Sequence, residues 1–154
     1  MLFDIYPLVV HYPVAFLTFY SMLELIRFRS LTEKPYWFYI KAITVVVGEI
    51  SAIVAVISAR ASYHYVEGIR LVDMHEIFGY ITAIIFGIIA LTYLMEWFGP
   101  TKFSSFIMRS WVIIPFSLIG LFFIVVTGGL FGAMVYGTQF DPFLKYVFIW
   151  LGVY

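Results

Sequence analysis

Residues 111–136 read WVIIPFSLIGLFFIVVTGGLFGAMVY, an apolar stretch without a charged side chain. The stretch is long enough to cross a hydrocarbon core of ~30 Å at a helical rise of ~1.5 Å per residue. A segment that crosses lipid has to be helical, because a helix satisfies its backbone polar groups internally. These residues therefore predict a transmembrane helix.

Three more stretches of the same kind precede it, at about 5–26, 36–59 and 72–97. Short polar connectors separate them, and Gly99-Pro100 marks the end of the third. The chain is 64% hydrophobic and 12% charged, whereas a soluble domain carries roughly 25% charged residues. We therefore predict one domain over residues 1–154, an all-α integral membrane protein in which four transmembrane helices form a bundle.

The two ends of the chain carry separate predictions. The N-terminal stretch lacks a basic region and a small-residue cleavage site, which favours a retained helix over a signal peptide. The C-terminal segment, about 142–154, is apolar and aromatic but too short to cross a bilayer. Asp141-Pro142 matches an N-cap followed by proline at the first helical position. We predict a short C-terminal interfacial helix there.

Basic residues predict the orientation of the bundle. Side A denotes the face that carries the N-terminus and the 60–71 loop, and side B denotes the opposite face. Side B holds six of the nine cations, namely Arg27, Arg29, Lys34, Lys41, Lys102 and Arg109. Arg60, Arg70 and Lys145 belong to side A. The positive-inside rule then predicts a protein of the plasma or inner membrane with side B in the cytoplasm and both termini outside it.

Composition also excludes several classes of chemistry. The chain has no cysteine, so disulfides, thiolate-bound iron–sulfur clusters and covalently attached c-type haem are excluded. Its formal net charge is zero, which gives no basic field for nucleic acid. We find no nucleophile–base pair, phosphate-binding loop, zinc-protease motif or paired carboxylates. An electron-transfer or accessory subunit is therefore favoured over a free-standing enzyme.

All three histidines, His11, His64 and His75, are predicted to lie on side A. Ionisable residues at membrane depth are costly and are candidates for function. His11 and His75 lie at similar depth on different helices, and two such histidines hold b-type haem in helix bundles. We predict them as axial ligands of one haem b. The competing interpretation is that they are hydrogen-bonded interfacial histidines, which we favour for His64.

Small residues form stripes on three of the predicted helices. They are Ala15 and Thr18 after His11; Gly48, Ala52, Ala55, Ala59 and Ser62 on the second helix; and Gly79, Ala83, Gly87 and Ala90 after His75. Such stripes allow close approach of a neighbour, either a flat macrocycle or another helix. On the fourth helix, Gly128 and Gly132 form a G-x-x-x-G pair, which predicts close helix contact or access for a cofactor edge.

The remaining candidates are charged side chains. Arg60 and Arg70 flank the side A loop, where a guanidinium suits a haem propionate or a lipid phosphate, or simply anchors the interface. Glu49 is predicted near mid-membrane, facing the bundle interior, as a proton path, a quinone contact or a neutral acid bonded to a neighbouring helix. Glu24 and Glu96 are predicted as interfacial residues of side B.

Several of these residues lie in short motifs. His11-Tyr12-Pro13-Val14-Ala15 resembles the HFPIA signature that opens a family of predicted four-helix membrane proteins of unknown function. The family has a second histidine opening its third helix, matched by His75, and closes its fourth helix with a pattern similar to residues 127–136, which end at Tyr136. The chain departs from the family at residues 58–62, where the family has a glycine and an aspartate. Relatives occur as the membrane part of planctomycete-type cytochrome c proteins, so the resemblance implies a four-helix fold and a link to respiratory electron transfer.

Together these patterns favour a small membrane subunit of a respiratory or other redox complex. It would bind haem b through two histidines and pass electrons to or from quinone. Its partners would be the lipid bilayer, other membrane subunits, and a cytochrome c or another extracytoplasmic carrier. The alternative is a cofactor-free structural or anchoring subunit of a larger membrane complex. A small transporter or channel is favoured less, because internal repeats are not evident.

Overall fold

The computed structural model describes residues 6–62, 70–137, 142 and 144–152, with the side chains of residues 6, 7 and 60–62 outside that description. Within this part of the chain, helices are the regular secondary structure and no strand occurs. The helices are α1 (Tyr6–Val9), α2 (His11–Leu25), α3 (Arg29–Thr32), α4 (Pro35–Ser62), α5 (Arg70–Phe98), α6 (Lys102–Ile107), α7 (Ser110–Tyr136) and α8 (Lys145–Leu151).

Among the described residues, three helices are long and apolar enough to cross a membrane, over Pro35–Ala59, Arg70–Phe98 and Ser110–Tyr136. They correspond closely to the predicted stretches 36–59, 72–97 and 111–136. As predicted, α5 ends immediately before Gly99-Pro100. Their outward faces are apolar, as at Ile43, Ile50 and Ile57 along α4, which are all exposed in the isolated chain.

The first apolar stretch was predicted to be one continuous helix over about 5–26, and this prediction is wrong. Within the described residues it consists of α1 and α2, separated by a turn at Val10. Pro13 explains the interruption: its nitrogen has no hydrogen to donate to the carbonyl of Val9, and its ring crowds that carbonyl. The chain therefore turns one residue before His11, which becomes the first residue of α2.

The long helices form a ring in which α2 packs against α4 and α7, and α5 packs against the same two helices. This order makes α2 and α5 diagonal partners across the bundle. Successive helices run in opposite directions, since Lys41 near the start of α4 binds Glu24 near the end of α2. Both residues lie on side B, so His11 and the start of α5 lie on side A.

The side B half of the bundle is tightly packed. Tyr20, Phe86 and Tyr93 are fully buried there and meet edge to face, with the Tyr20 ring centroid 6.2 Å from that of Phe86 and 5.8 Å from that of Tyr93. A Cβ added at Gly120 would lie 2.7 Å from the Phe86 ring, and one added at Gly48 would lie 2.5 Å from Leu17. Glycine at these positions permits close helix contacts, as the small-residue stripe of the second predicted helix indicated for Gly48.

The connectors and the tail contain helices that differ from the predictions. α3 and α6 interrupt connectors that were predicted as loops, and α6 is capped by Thr101 and Ser104, each of whose side chains accepts from the other's backbone N–H. α8 begins at Lys145, after Leu144, so Pro142 is not its first residue. Asp141 lies outside the described residues. α8 ends at Leu151 and is capped by Gly152, whose φ of +67° is a left-handed conformation that favours glycine.

Candidate functional site

A cavity of about 560 Å³ occupies the side A half of the bundle. All four long helices contribute to its wall, with Val10 and residues between His11 and Leu17 at the start of α2, residues between Ala52 and Ala59 of α4, between Val72 and Ala83 of α5 and between Ile124 and Met134 of α7. The bundle is therefore closely packed at side B and hollow at side A. A volume of this size is typical of small-molecule and cofactor sites.

His75 lies in the wall of this cavity on α5. Its side chain is 8% exposed, and its Nδ1 lies 2.9 Å from the carbonyl oxygen of Thr127 on α7. Since a carbonyl only accepts, Nδ1 carries the hydrogen in this bond, and Nε2 is the acceptor nitrogen of the neutral ring. The ring of Phe131 lies beside it, with centroids 5.9 Å apart. A contact on two sides thus fixes both the tautomer and the orientation of the imidazole.

His11 lines the same cavity from the diagonally opposite helix. It is an exposed residue, in contrast to His75, and it opens α2 where Pro13 interrupts the first apolar stretch. The two histidines predicted to act together therefore border one space. The structure does not place them on different faces of the bundle.

Small residues make room for this cavity. Ala52, Ala55 and Ala59 of the α4 stripe line it, as do Gly79 and Ala83 of the α5 stripe. On the first helix, Pro13, Val14 and Leu17 line the cavity, whereas Ala15 and Thr18 do not.

Gly128 borders the cavity, and a Cβ added there would meet no atom within 4 Å. Of the two alternatives predicted for this glycine, its position at the cavity edge agrees with access for a cofactor and not with close helix contact. Close contact occurs one residue later, because a Cβ at Gly129 would lie 1.9 Å from Leu144, the residue that precedes α8. Gly132 is partly buried, and Tyr136 is exposed at the end of α7.

Polar residues missed by sequence reasoning also line the cavity. Asp73 and Glu76 are exposed residues of α5 that border it, and the Tyr80 hydroxyl donates to Glu76 Oε1 at 2.8 Å. Their spacing, at positions 73, 76 and 80, places them on the helix face that carries Gly79 and Ala83. This helical periodicity was the signal that could have identified them.

The basic candidates and His64 do not all fall within the described side chains. Arg60 belongs to α4, but its side chain is outside the description, and His64 lies outside the described residues. Arg70 does not line the cavity; its Nη2 donates to the carbonyl of Leu151 at 2.9 Å and thus ties α5 to the end of α8. The role predicted for Arg70 toward a propionate stays a prediction.

Glu49 lies between α4 and α5 and is half-buried. Glu49 lines a groove of about 320 Å³ on the surface between these two helices, smaller than the side A cavity. The other residues that line the groove are Ile53, Val56, Ile57, Tyr80, Ala83 and Ile84. Its Oε2 is buried, and no described residue offers it a hydrogen bond. Oε1 lies close to Gly87, where an added Cβ would be 3.3 Å away. The carboxyl group therefore lies in the α4–α5 interface beside the groove.

Glu24 is buried within the bundle, with 1% exposure, and its place at the side B membrane interface stays a prediction. Its Oε1 accepts from Lys41 Nζ at 2.9 Å, from the Tyr20 hydroxyl at 3.2 Å and from the Tyr93 hydroxyl. These four residues join α2, α4 and α5 in what we term the side B network. The three partners of Glu24 offset the cost of burying its carboxylate, since each supplies a hydrogen-bond donor. Glu96, by contrast, is partly buried and accepts from Ser104 and Ser105.

Within the described part of the chain, no three or more His, Asp or Glu side chains come together in a way that could hold a metal ion. A bare-metal site of the zinc type, which takes three or four protein ligands, has no such donor set among these residues. A haem differs in this respect because it takes only two axial ligands from the protein.

Comparison with protein families matches residues 3–141 to the family described as "Predicted membrane protein (DUF2231)". No curated protein and no solved structure matches the chain. The match extends over nearly the whole chain and agrees with the apolar helices, so the protein is a multi-pass membrane protein. The chain belongs to the DUF2231 family of predicted membrane proteins.

Proposed function

We propose that this protein is a small membrane subunit of a redox complex that holds haem b in the side A cavity, with His11 and His75 as its two axial ligands. One observation carries the proposal: His11 and His75, on diagonal helices, line a single cavity of about 560 Å³. Bis-histidine coordination between helices of a bundle needs this arrangement, in which the ligands approach a common space from opposite walls.

The lining of the cavity suits a flat, largely apolar group. Alanines of α4 and glycines of α5 and α7 have small side chains or none, which leaves space for the group. Leu17, Val56 and Ile124 supply apolar contact. The bond from His75 Nδ1 to the Thr127 carbonyl supports the proposal further. Ligating histidines usually donate their other ring nitrogen to a carbonyl or carboxylate, which holds the ring and raises its basicity.

Bound there, the haem would supply one-electron redox chemistry, with a potential set by its axial ligands, hydrogen bonds and burial. The residues of the chain would bind it, and the Thr127 carbonyl orients His75. Because this cavity lies within membrane-spanning helices, its natural redox partner in the lipid is a quinone. Other membrane subunits, and a cytochrome c or similar carrier outside the cytoplasm, would complete the path.

The membrane placement that we propose contains four spans, with side B in the cytoplasm. Residues 6–25 form the fourth span, since α1 and α2 together extend about 30 Å at the helical rise. α8 lies at the side A interface. It buries Phe148 against the bundle and leaves Tyr146 and Trp150 exposed, and such aromatic side chains favour the boundary between lipid and water.

The experiment that tests the proposal is an absorption spectrum of histidine variants purified from haem-replete cells. His11→Ala and His75→Ala should each lose or convert the Soret band of a six-coordinate haem while membrane insertion persists. His64→Ala is the matched control and should keep the wild-type spectrum. A colourless wild-type protein would contradict the proposal and favour a cofactor-free structural subunit. Loss of the band in His64→Ala alone would reassign the ligand.

A second test fills the cavity without altering either histidine. Gly128→Leu places a side chain in the cavity, where a Cβ meets no atom within 4 Å, and should abolish haem binding. Gly99→Leu is the control, because Gly99 has equal open space but lies outside the cavity. Equal haem content in the two variants would show that this cavity is not the haem site.

A further inference from the structure

The groove between α4 and α5 carries a polar group that the haem proposal does not use. Glu49 lies near the middle of the Pro35–Ala59 span, and its buried Oε2 finds no hydrogen-bond donor or acceptor among the described residues. An unsatisfied buried carboxyl oxygen is costly, and such groups in native structures require an explanation. A bound molecule that completes the hydrogen bonding of Glu49 provides one.

The surroundings of the groove restrict what that molecule is. Ile53, Ile57 and Ile84 line the groove and are 48%, 63% and 62% exposed, so its outer edge faces the surface that lipid covers. The acyl chain of a lipid would fill the groove but offers Glu49 no hydrogen bond. The occupant therefore combines solubility in the hydrocarbon core with a hydrogen-bonding headgroup. The groove has a volume of about 320 Å³, which is within the range of small-molecule sites.

The groove and the histidine cavity share a wall. Val56, Tyr80 and Ala83 line both spaces, so a molecule in the groove lies one layer of side chains from the cavity. Tyr80 in turn donates to Glu76, which borders the cavity. Among lipid-soluble molecules with polar headgroups, a redox carrier is the class for which closeness to the cavity matters.

We propose that the α4–α5 groove binds the headgroup of a quinone, with the Glu49 carboxyl group as its hydrogen-bonding partner. The choice of a quinone as the occupant rests on the proposed redox function. The groove and the unsatisfied carboxyl oxygen of Glu49 are features of the structure and do not depend on that function. Glutamine can replace this hydrogen bond with its amide, and leucine cannot. The identity of the side chain at position 49 therefore determines the affinity for quinone.

The test measures binding of decylubiquinone to the purified protein in nanodiscs, together with photolabelling by an azido-quinone. Glu49→Leu should weaken binding by about tenfold, the loss expected for one hydrogen bond in a site without water. Glu49→Gln should bind within a fewfold of wild type. Ser51→Leu, a polar-to-leucine change on the same helix outside the groove, is the control and should leave binding unchanged.

The outcomes separate this inference from the haem proposal. Labelling of the α4–α5 groove in a His75→Ala variant that contains no haem supports the quinone site independently of the cofactor. If the wild-type protein contains haem and the Glu49→Leu variant binds quinone as tightly as the wild type does, the quinone site is overturned and the haem proposal stays intact. Photolabel confined to other helices, or no saturable binding because phospholipid holds the groove, also overturns it.

Discussion

Replacing Lys41 with methionine removes the amine that binds Glu24 in the side B network. Glu24 is 1% exposed, and the change leaves its carboxylate with two neutral donors, the hydroxyls of Tyr20 and Tyr93. Removing one partner of a buried ion pair costs about 3–5 kcal/mol. The remaining tyrosine hydrogen bonds place the expected loss at the lower end, about 3 kcal/mol of unfolding free energy. The assay is reversible unfolding in mixed micelles, followed by circular dichroism.

The exposed pair Arg29–Glu33 provides a matched control. Its atoms lie 2.6 Å apart, but the side chains are 90% and 62% exposed, so Glu33→Gln should cost at most about 0.5 kcal/mol. The double variant Glu24→Gln with Lys41→Met leaves no unpaired charge and should be more stable than Lys41→Met alone. Equal losses for Lys41→Met and Glu33→Gln would refute the reasoning, as would simple additivity in the double variant.

Gly129→Ala should loosen α8, because its Cβ would lie 1.9 Å from Leu144, and the expected cost is about 1–3 kcal/mol. Gly128→Ala meets no atom within 4 Å and should leave α8 in place. Protease release of the C-terminal segment compares the two variants, and equal release would contradict the α8 contact. Cysteines introduced at Ser30 and Ser62 should react from opposite sides of the membrane, with Ser62 facing outward. Labelling of the cysteine at position 30 by an impermeant reagent from outside would reverse the orientation.

Hydropathy was sufficient to predict α4, α5 and α7, because the lipid requirement for internal backbone hydrogen bonds acts on the whole segment. Hydropathy did not predict the break in the first stretch, because that break depends on a single residue. Pro13 has no N–H to donate to the carbonyl of Val9, so the helical hydrogen bonding is interrupted there. α3 and α6 were missed because each is about one or two turns long and gives no hydropathy signal. The cap of α6 was nevertheless visible in Thr101 and Ser104, whose side chains satisfy its first turn.

The candidate site was predictable in outline and not in its details. Matched depth brought His11 and His75 together, and the small residues of α4 and α5 indicated where space would remain. The carbonyl of Thr127 could not be predicted as a partner of His75, because it depends on how α5 and α7 are aligned along their axes. The same reason applies to Glu24: its partners Lys41 and Tyr93 lie on other helices, and spacing along the sequence carries no information about that contact.

The central claim is that His11 and His75 share one haem, and the most direct measurement is the haem content of the purified protein. The protein should be expressed in haem-replete cells, and its haem b quantified as the pyridine haemochrome against protein determined by amino-acid analysis. The account predicts about one haem b per chain, with a low-spin bis-histidine signal in the electron paramagnetic resonance spectrum of the oxidised protein. A folded protein without haem, or one whose spectrum shows a single histidine ligand, would contradict it.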